Sequence, residues 1–277
     1  MKKVDVIVNV YGKPWQTLCT LKSLIKHSGK HIDKIYFIKE KEQPYNENID
    51  WVLNHFDNVI LFEPSEYNFL TFQVNFNDEN QRFKVRYQYG IEKSDKQFVF
   101  ITHNDVLYTG DIIGEMLEQI GDSVGIGELG QCWNCPANKI GVCSGEKFND
   151  WNPTYEDILK LPLPHIRTNL NMIDPINPKP LPECRLNEWA CLLNKEIIMK
   201  ESYPYGNVSL FGQYGLDLAT KWFKEMYLKG YKFIDYRKNY THSFWSELPS
   251  GYQTQLNSTL YINSELNAKK YFEENFN

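Results

Sequence analysis

The stretch QFVFITHNDVL, residues 97–107, decides the fold. Its first half is an apolar, β-branched and aromatic run of strand length, and it stops abruptly at His103, Asn104 and Asp105. A strand with no polar alternation is buried on both faces, as in a parallel sheet covered by helices. Open parallel sheets bind ligands outside the carboxyl ends of their strands, so these three polar residues stand at a ligand-binding position. The alternative reading is an ordinary turn, which Asn and Asp commonly form.

Outward from that stretch the pattern repeats. Residues 4–10, VDVIVNV, read as a strand, and residues 14–28 as a helix with Leu18, Leu21 and Ile25 at helical spacing, Pro14 at its start and Gly29 beyond its end. Strands are predicted at residues 34–38 and 58–62, with a short helix over 49–56 between them. A helix over residues 82–94 leads into the quoted strand and another over 112–120 follows it. This alternation predicts an α/β fold with a Rossmann-like N-terminal half. Further on, GLDLATKWFKEMYLKG, residues 215–230, predicts an amphipathic helix opened by Asp217, and residues 231–236 a strand. His242 falls beyond that strand in a polar loop, and a last helix is expected near residues 264–272.

Composition excludes several classes. A net charge of −5 with scattered Lys and Arg lacks the footprint of a nucleic-acid binder. No run approaches the ~18 apolar residues of a membrane span, and no signal-type apolar region precedes the first strand, so the expectation is a cytoplasmic protein with at most peripheral membrane contact. The 18 Tyr, 16 Phe and 7 Trp suit stacking on sugars or bases and equally suit a large core.

Taken together, these segments resemble the nucleotide-sugar-dependent glycosyltransferases of the GT-A fold, those of family 2 type most closely. The likeness runs through VNVYGKPWQTL at residues 8–18, FIKE at 37–40, VRYQYGIEKSDKQFVFITHND at 85–105, EWACLLNKEI at 188–197 and the 215–233 segment. It implies a Rossmann-like α/β GT-A fold with a central, mostly parallel sheet flanked by helices and a Cys-containing loop insertion. It further implies one domain over residues 1–246, with a nucleotide-binding half (1–125) and an acceptor half (126–246), followed by an extension at 247–277. By the same resemblance Val10 and Tyr11 meet base and ribose, Glu40 is the acidic residue at uracil or ribose, and Arg86 is a phosphate-side contact. His103, Asn104 and Asp105 replace the Asp-x-Asp metal motif, His103 standing at its first Asp. His242 is placed as an additional metal ligand. Leu216 replaces the Glu of a Glu-Asp pair, leaving Asp217 as first choice for general base, with Glu188 the other candidate.

The chemistry accounts for these residue types. Cleaving a sugar from a nucleoside diphosphate leaves charge on the diphosphate, which a cation held by Asp105 neutralises as a Lewis acid. Oxygen ligands suit Mg2+ or Mn2+, and an imidazole at position 103 tilts the preference to Mn2+. With His103 turned away, positive side chains or helix N-termini would take over the diphosphate. Inversion needs a base for the acceptor hydroxyl. The expected partners are a nucleotide-sugar donor, UDP-type favoured, and a glycan, lipid-linked glycan or protein hydroxyl acceptor. A noncatalytic carbohydrate- or nucleotide-binding module on the same fold is the alternative, consistent with the altered metal motif. A nucleotidyltransferase is disfavoured because VYGKPW is not a Gly-rich phosphate loop.

The sequence GQCWNCPANKIGVCSG, residues 130–145, places Cys132, Cys135 and Cys143 in one loop, and Cys184 follows in PECRLNEW. A C-x2-C pair lets two thiolates reach one tetrahedral ion, so these four are candidates for a structural Zn2+, with His165 an alternative fourth ligand. The other reading is reduced thiols packed as small hydrophobes, as expected for Cys19 and Cys191. Residues 150–182 are rich in Pro and Asn, which predicts a long loop over the donor or acceptor site carrying Trp151 and Arg167.

Overall fold

The computed structural model describes residues 2–66, 74–133, 135–162, 170–248 and 251–276 of the 277-residue chain. A central sheet of seven strands has the order β3-β2-β1-β4-β7-β6-β8. These are β1 Val4–Val10, β2 Ile32–Lys39, β3 Val59–Phe62, β4 Phe98–Thr102, β6 Gly125–Leu129, β7 Leu186–Asn194 and β8 Phe233–Asp235. Only β7 runs antiparallel to its neighbours, so the sheet is mostly parallel, as the buried apolar strands predict. Two short strands, β5 Val106–Tyr108 and β9 Tyr240–His242, pair antiparallel beside it.

The helices are α1 Pro14–Ser28, α2 Glu79–Arg82, α3 Gln88–Lys93, α4 Ile112–Gln119, α5 Pro136–Lys139 and α6 Tyr155–Leu159. They continue with α7 Lys195–Glu201, α8 Thr220–Leu228, α9 Gly251–Leu256 and α10 Ser258–Asn275. Strand β1 shows why both faces must be covered. Val4, Val6, Val8 and Val10 enter one apolar cluster with α1, α4 and α10, while Ile7 points into a second with Tyr87, Trp222 and Phe223. All seven residues are buried, Asp5 and Asn9 included, as in a strand between two helical layers.

Five sequence expectations need correction. The helix expected over residues 82–94 is two short helices, α2 and α3, because Tyr87 adopts φ 67° and buries its ring 6.0 Å from Phe211. The helix expected over 215–230 begins only at Thr220, since Ala219 takes φ 63°. Asp217 therefore lies in the turn before α8, where its Oδ1 accepts from the Leu218 backbone N–H at 2.8 Å. His242 is not in a loop: it closes strand β9 opposite Val106, which carries it to the end of the quoted stretch. The short segment expected as a helix over 49–56 is a 3-10 helix at Asp50–His55. The last helix is longer than expected and lies along α1, with Gln16 donating to Ser264 Oγ at 3.1 Å and Glu265 Oε1 at 3.0 Å.

Candidate active site

Strand order reverses between β1 and β4, the switch point where open sheets form their crevice. The chain leaves β1 through a left-handed pair, Gly12 at φ 65° and Lys13 at φ 60°. A Cβ at Gly12 would stand 2.4 Å from Pro44 and 2.6 Å from the Tyr261 hydroxyl, so glycine is required for closeness as well as for conformation. Lys13 is held in its strained geometry by the Tyr261 hydroxyl, which accepts from the Lys13 backbone N–H at 2.7 Å. Asn104 pins the same turn, donating to the Gly12 carbonyl at 2.9 Å and to Thr17 Oγ1 at 3.1 Å. The Lys13 ammonium thereby reaches Asp105 Oδ2 at 2.6 Å, spanning the switch point with both side chains buried.

The other carboxylate oxygen is differently placed. Asp105 Oδ1 is buried and makes no hydrogen bond, yet His242 Nε2 lies 3.4 Å and His103 Nδ1 3.9 Å away. The two imidazole nitrogens are themselves 3.3 Å apart. Burial raises the Asp105 carboxyl, but Lys13 and the two imidazoles outweigh it and hold the group well below the usual carboxylate range. Glu188 stands behind His103, its Oε1 3.2 Å from His103 Nε2. Burial opposes ionisation of Glu188, while Arg185 and His103 favour it and bring the group down to about 2. An ionised carboxylate only accepts, so Nε2 of His103 carries the hydrogen and Nδ1 turns a lone pair toward Asp105 and His242. Burial lowers the His103 pKa more than Glu188 raises it, which keeps the ring neutral.

Sequence reasoning missed the groups that link this cluster to Asp217. Arg185 Nη1 lies 3.1 Å from Glu188 Oε2 and 3.2 Å from Asp217 Oδ1. Gln131 donates to Asp217 Oδ2 at 2.7 Å. Asp217 retains 24% exposure of its side chain against 5% for Glu188. Trp189 stacks on His242, centroids 4.7 Å apart and planes 13° from parallel, and the exposed Trp133 indole lies 5.8 Å from Trp189. Lys13 had a signal in the Gly-Lys-Pro turn directly after β1, and Arg185 in its position three residues before Glu188.

The remaining expected residues are more dispersed. Val10 is buried at the end of β1, and the half-buried Tyr11 accepts at its carbonyl from Gln255 Nε2 at 2.8 Å. Glu40 is 2% exposed, its Oε1 accepting from Asn9 Nδ2 at 3.1 Å. Arg86 lies half-buried between α2 and α3, its carbonyl against Gly212. Trp151 packs against the apolar cluster that contains Phe148 and Ile158, while His165 and Arg167 lie outside the described residues. Among the described residues one other acidic group gathers, Asp5, Asp33 and Asp95, and Lys34 and Lys96 already pair with its two less buried members. No helix among the described residues is long and apolar enough to cross a membrane.

No protein-family model matches this sequence, and no curated protein matches it. Among solved structures, the chain is similar to the mannosyltransferase PcManGT from Pyrobaculum calidifontis, in complex with GDP-Man and Mn2+. The TM-score is 0.52 at 10% identity, over 97% of this chain and 64% of that one. Weaker likenesses are to the galactosyltransferase LgtC with donor and acceptor sugar analogues, at 12% identity, 72% and 60% coverage and TM-score 0.40. TarS from S. aureus with UDP-GlcNAc aligns at 11% identity, 72% and 47% coverage and TM-score 0.39. This chain thus spans 64% of the length of the mannosyltransferase chain. Sheet order, the strand-end crevice and the likeness over nearly the whole chain agree: the protein has the α/β, Rossmann-like GT-A fold of nucleotide-sugar glycosyltransferases.

Proposed function

We propose that this chain transfers a sugar from a nucleoside diphosphate donor to a hydroxyl of a glycan, lipid-linked glycan or protein, inverting the anomeric centre. The observation that carries the reading is the buried Asp105 Oδ1, which makes no hydrogen bond and faces two imidazole nitrogens at the switch point of a GT-A sheet. A buried ionised oxygen ordinarily has a partner, and a carboxylate with two imidazoles is a ligand set for a divalent cation. His103, Asp105 and His242 fit such an ion, and the two nitrogens favour Mn2+ over Mg2+. When bound, the cation supplies charge neutralisation to the diphosphate leaving group.

The chain's own residues do the rest. Lys13 neutralises one Asp105 oxygen and sets the carboxylate for the cation with the other. Asp217, the more exposed of the two candidate carboxylates, takes the proton of the acceptor hydroxyl as that oxygen attacks the anomeric carbon. Glu188 is too buried and too acidic for that role and serves as the positioning residue for His103. The Trp133 indole offers a face for an acceptor sugar. The resemblance favours a uridine diphosphate, and the complex of the mannosyltransferase with GDP-Man makes guanosine the first competitor.

Calorimetric titration of UDP, GDP, CDP and dTDP, with and without Mn2+, tests this on the native chain and on Asp105→Ala. One nucleotide should bind, tighter with Mn2+, and lose that gain in the variant. Binding of none of the four would reject the transferase reading. Sugar-stabilised binding without turnover on any acceptor would favour the noncatalytic module.

A further inference from the structure

The four cysteines that the active site leaves unused lie together on the far side of the Gln131 loop. Loop residues 130–145 leave the end of β6, residues 181–185 approach β7, and the two are joined where Gly130 N–H donates to the Arg185 carbonyl at 2.7 Å. Between them is a small pocket of about 20 Å³ lined by Cys132, Cys135, Cys143 and Cys184, with Leu129 and Phe148. That volume holds one ion or one water. We propose that Cys132, Cys135, Cys143 and Cys184 form a tetrathiolate site for a single Zn2+.

Three further features support the site. First, the loop is built as a ligand turn: Cys135 N–H donates to the Cys132 carbonyl at 3.3 Å. Gly130, at φ 77°, stands where a Cβ would come within 3.3 Å of the Cys132 sulfur. Second, Cys143 and Cys184 are buried in one apolar cluster with Phe148 and Leu181, out of reach of the solvent that would otherwise stabilise thiolates, so a dication is the partner they lack. Third, two cations border the thiols, Arg237, which also pairs with Asp235 and Glu128, and Lys179. Arg237 Nη2 lies 3.8 Å from the Cys132 sulfur. Lys179 is 5% exposed, its ammonium lies over the Phe148 and Tyr227 rings, and among the described residues no carboxylate pairs with it. Its ammonium also donates to the Phe148 carbonyl. Cys143, Cys184 and Asp150 all stand near enough to act on its charge, so the thiols share with Asp150 the balancing of a buried ammonium.

As placed, no three of the sulfurs lie within 4.8 Å of one another. Zn–S bonds of about 2.3 Å put tetrahedral sulfurs about 3.8 Å apart, so binding draws the side chains inward by rotation into the cavity. Binding breaks four S–H bonds, forms four Zn–S bonds and releases four protons, with no redox change. The ion would then tie together the segments bearing Gln131, Trp133 and Arg185, all beside Asp217 and His242.

The test is elemental analysis and cobalt substitution of the full chain. The native protein should carry one zinc that survives dialysis, and Co2+ exchanged for it should give a thiolate-to-cobalt charge-transfer band with the visible bands of a tetrahedral ion. Cys184→Ser and Cys135→Ser should each lower zinc content by one per chain, whereas Cys191→Ser should not. The sulfur band separates this site from His103, Asp105 and His242, which offer no sulfur, so failure here leaves the transferase reading untouched. Should a serine variant not fold, alkylation of the native chain decides instead: four thiols should be protected until a chelator is added. Absence of the charge-transfer band, or a disulfide among the four by intact mass, overturns the proposal.

Discussion

Glu188 Oε1 lies 3.2 Å from His103 Nε2 and so decides which nitrogen of that ring faces Asp105 and His242. Carboxylates behind ligating histidines typically matter 10–100-fold in metal affinity. Glu188→Gln keeps an acceptor but loses the charge and leaves Asp217 as the carboxylate paired with Arg185. Mn2+ affinity by calorimetry is expected to fall about 10-fold in Glu188→Gln and more in Glu188→Ala. Unchanged affinity in both variants would show that His103 does not hold the ion.

Lys13 and Asp105 form a buried pair at 2.6 Å. Removing one partner of such a pair commonly costs about 3–5 kcal/mol because the other charge stays buried. Lys13→Met should lose stability of that order in urea unfolding, and Mn2+ should restore more stability to the variant than to the native chain, since binding to the folded state stabilises by mass action. Equal Mn2+ effects on the two proteins would separate Lys13 from the cation site.

Much of this was legible in the sequence, and the parts that were not have physical reasons. Residues 98–102 declared a buried strand because the run carries no polar alternation, and residues 4–10 declared a strand through their β-branched run. His103 and Asp105 were visible because polar residues at a parallel strand end need a purpose. His242 looked like a loop residue because strand β9 has three residues and exists only by pairing with β5. Asp217 looked like a helix opener because periodicity ignores backbone sign, and nothing in an alanine at position 219 announces φ 63°. Gln131 was hidden because its partner lies 86 residues away, and the local signals at Lys13 and Arg185 could not reveal partners 92 and 32 residues away. The C-terminal segment carried no chemical signal, yet Tyr261 fixes the Lys13 turn through one backbone hydrogen bond.

Asp217 is the side chain whose loss should separate chemistry from binding. Asp217→Asn retains an oxygen for Gln131 and a similar volume, so donor affinity should hold while kcat falls by about 10²–10⁴, the usual worth of a general base. Single-turnover transfer alongside calorimetry of the donor is the measurement. A variant with native turnover would remove Asp217 from the base role.

Glu265 predicts a pH dependence of stability that is independent of catalysis. Its carboxylate accepts from the Trp15 N–H at 2.8 Å and from the Gln16 side chain at 3.0 Å, tying α10 to the start of α1. Burial raises its pKa from the ordinary 4.5 to about 7, against the lowering effect of these donors, and the nearby Glu47 pushes the same way. Glu47 is itself raised by burial, while Tyr261 bonds to it, and Cys19 is the other titratable neighbour of Glu265 on α1. A carboxyl with a raised folded pKa binds its proton more tightly in the native state than in the unfolded chain. Its contribution is therefore fully present below pH 4.5 and is lost as pH rises through about 7. At about 1.4 kcal/mol per unit, the loss is of the order of 3 kcal/mol across that window. Urea midpoints of the native chain and of Glu265→Gln, compared from pH 4.5 to beyond 7, isolate this term from the carboxylates with lowered pKa, whose contributions are common to both proteins. The difference between the two should shift steadily in favour of the variant as pH rises, and a difference that does not change with pH would mean that Glu265 is ionised throughout and that the α1–α10 contact does not titrate.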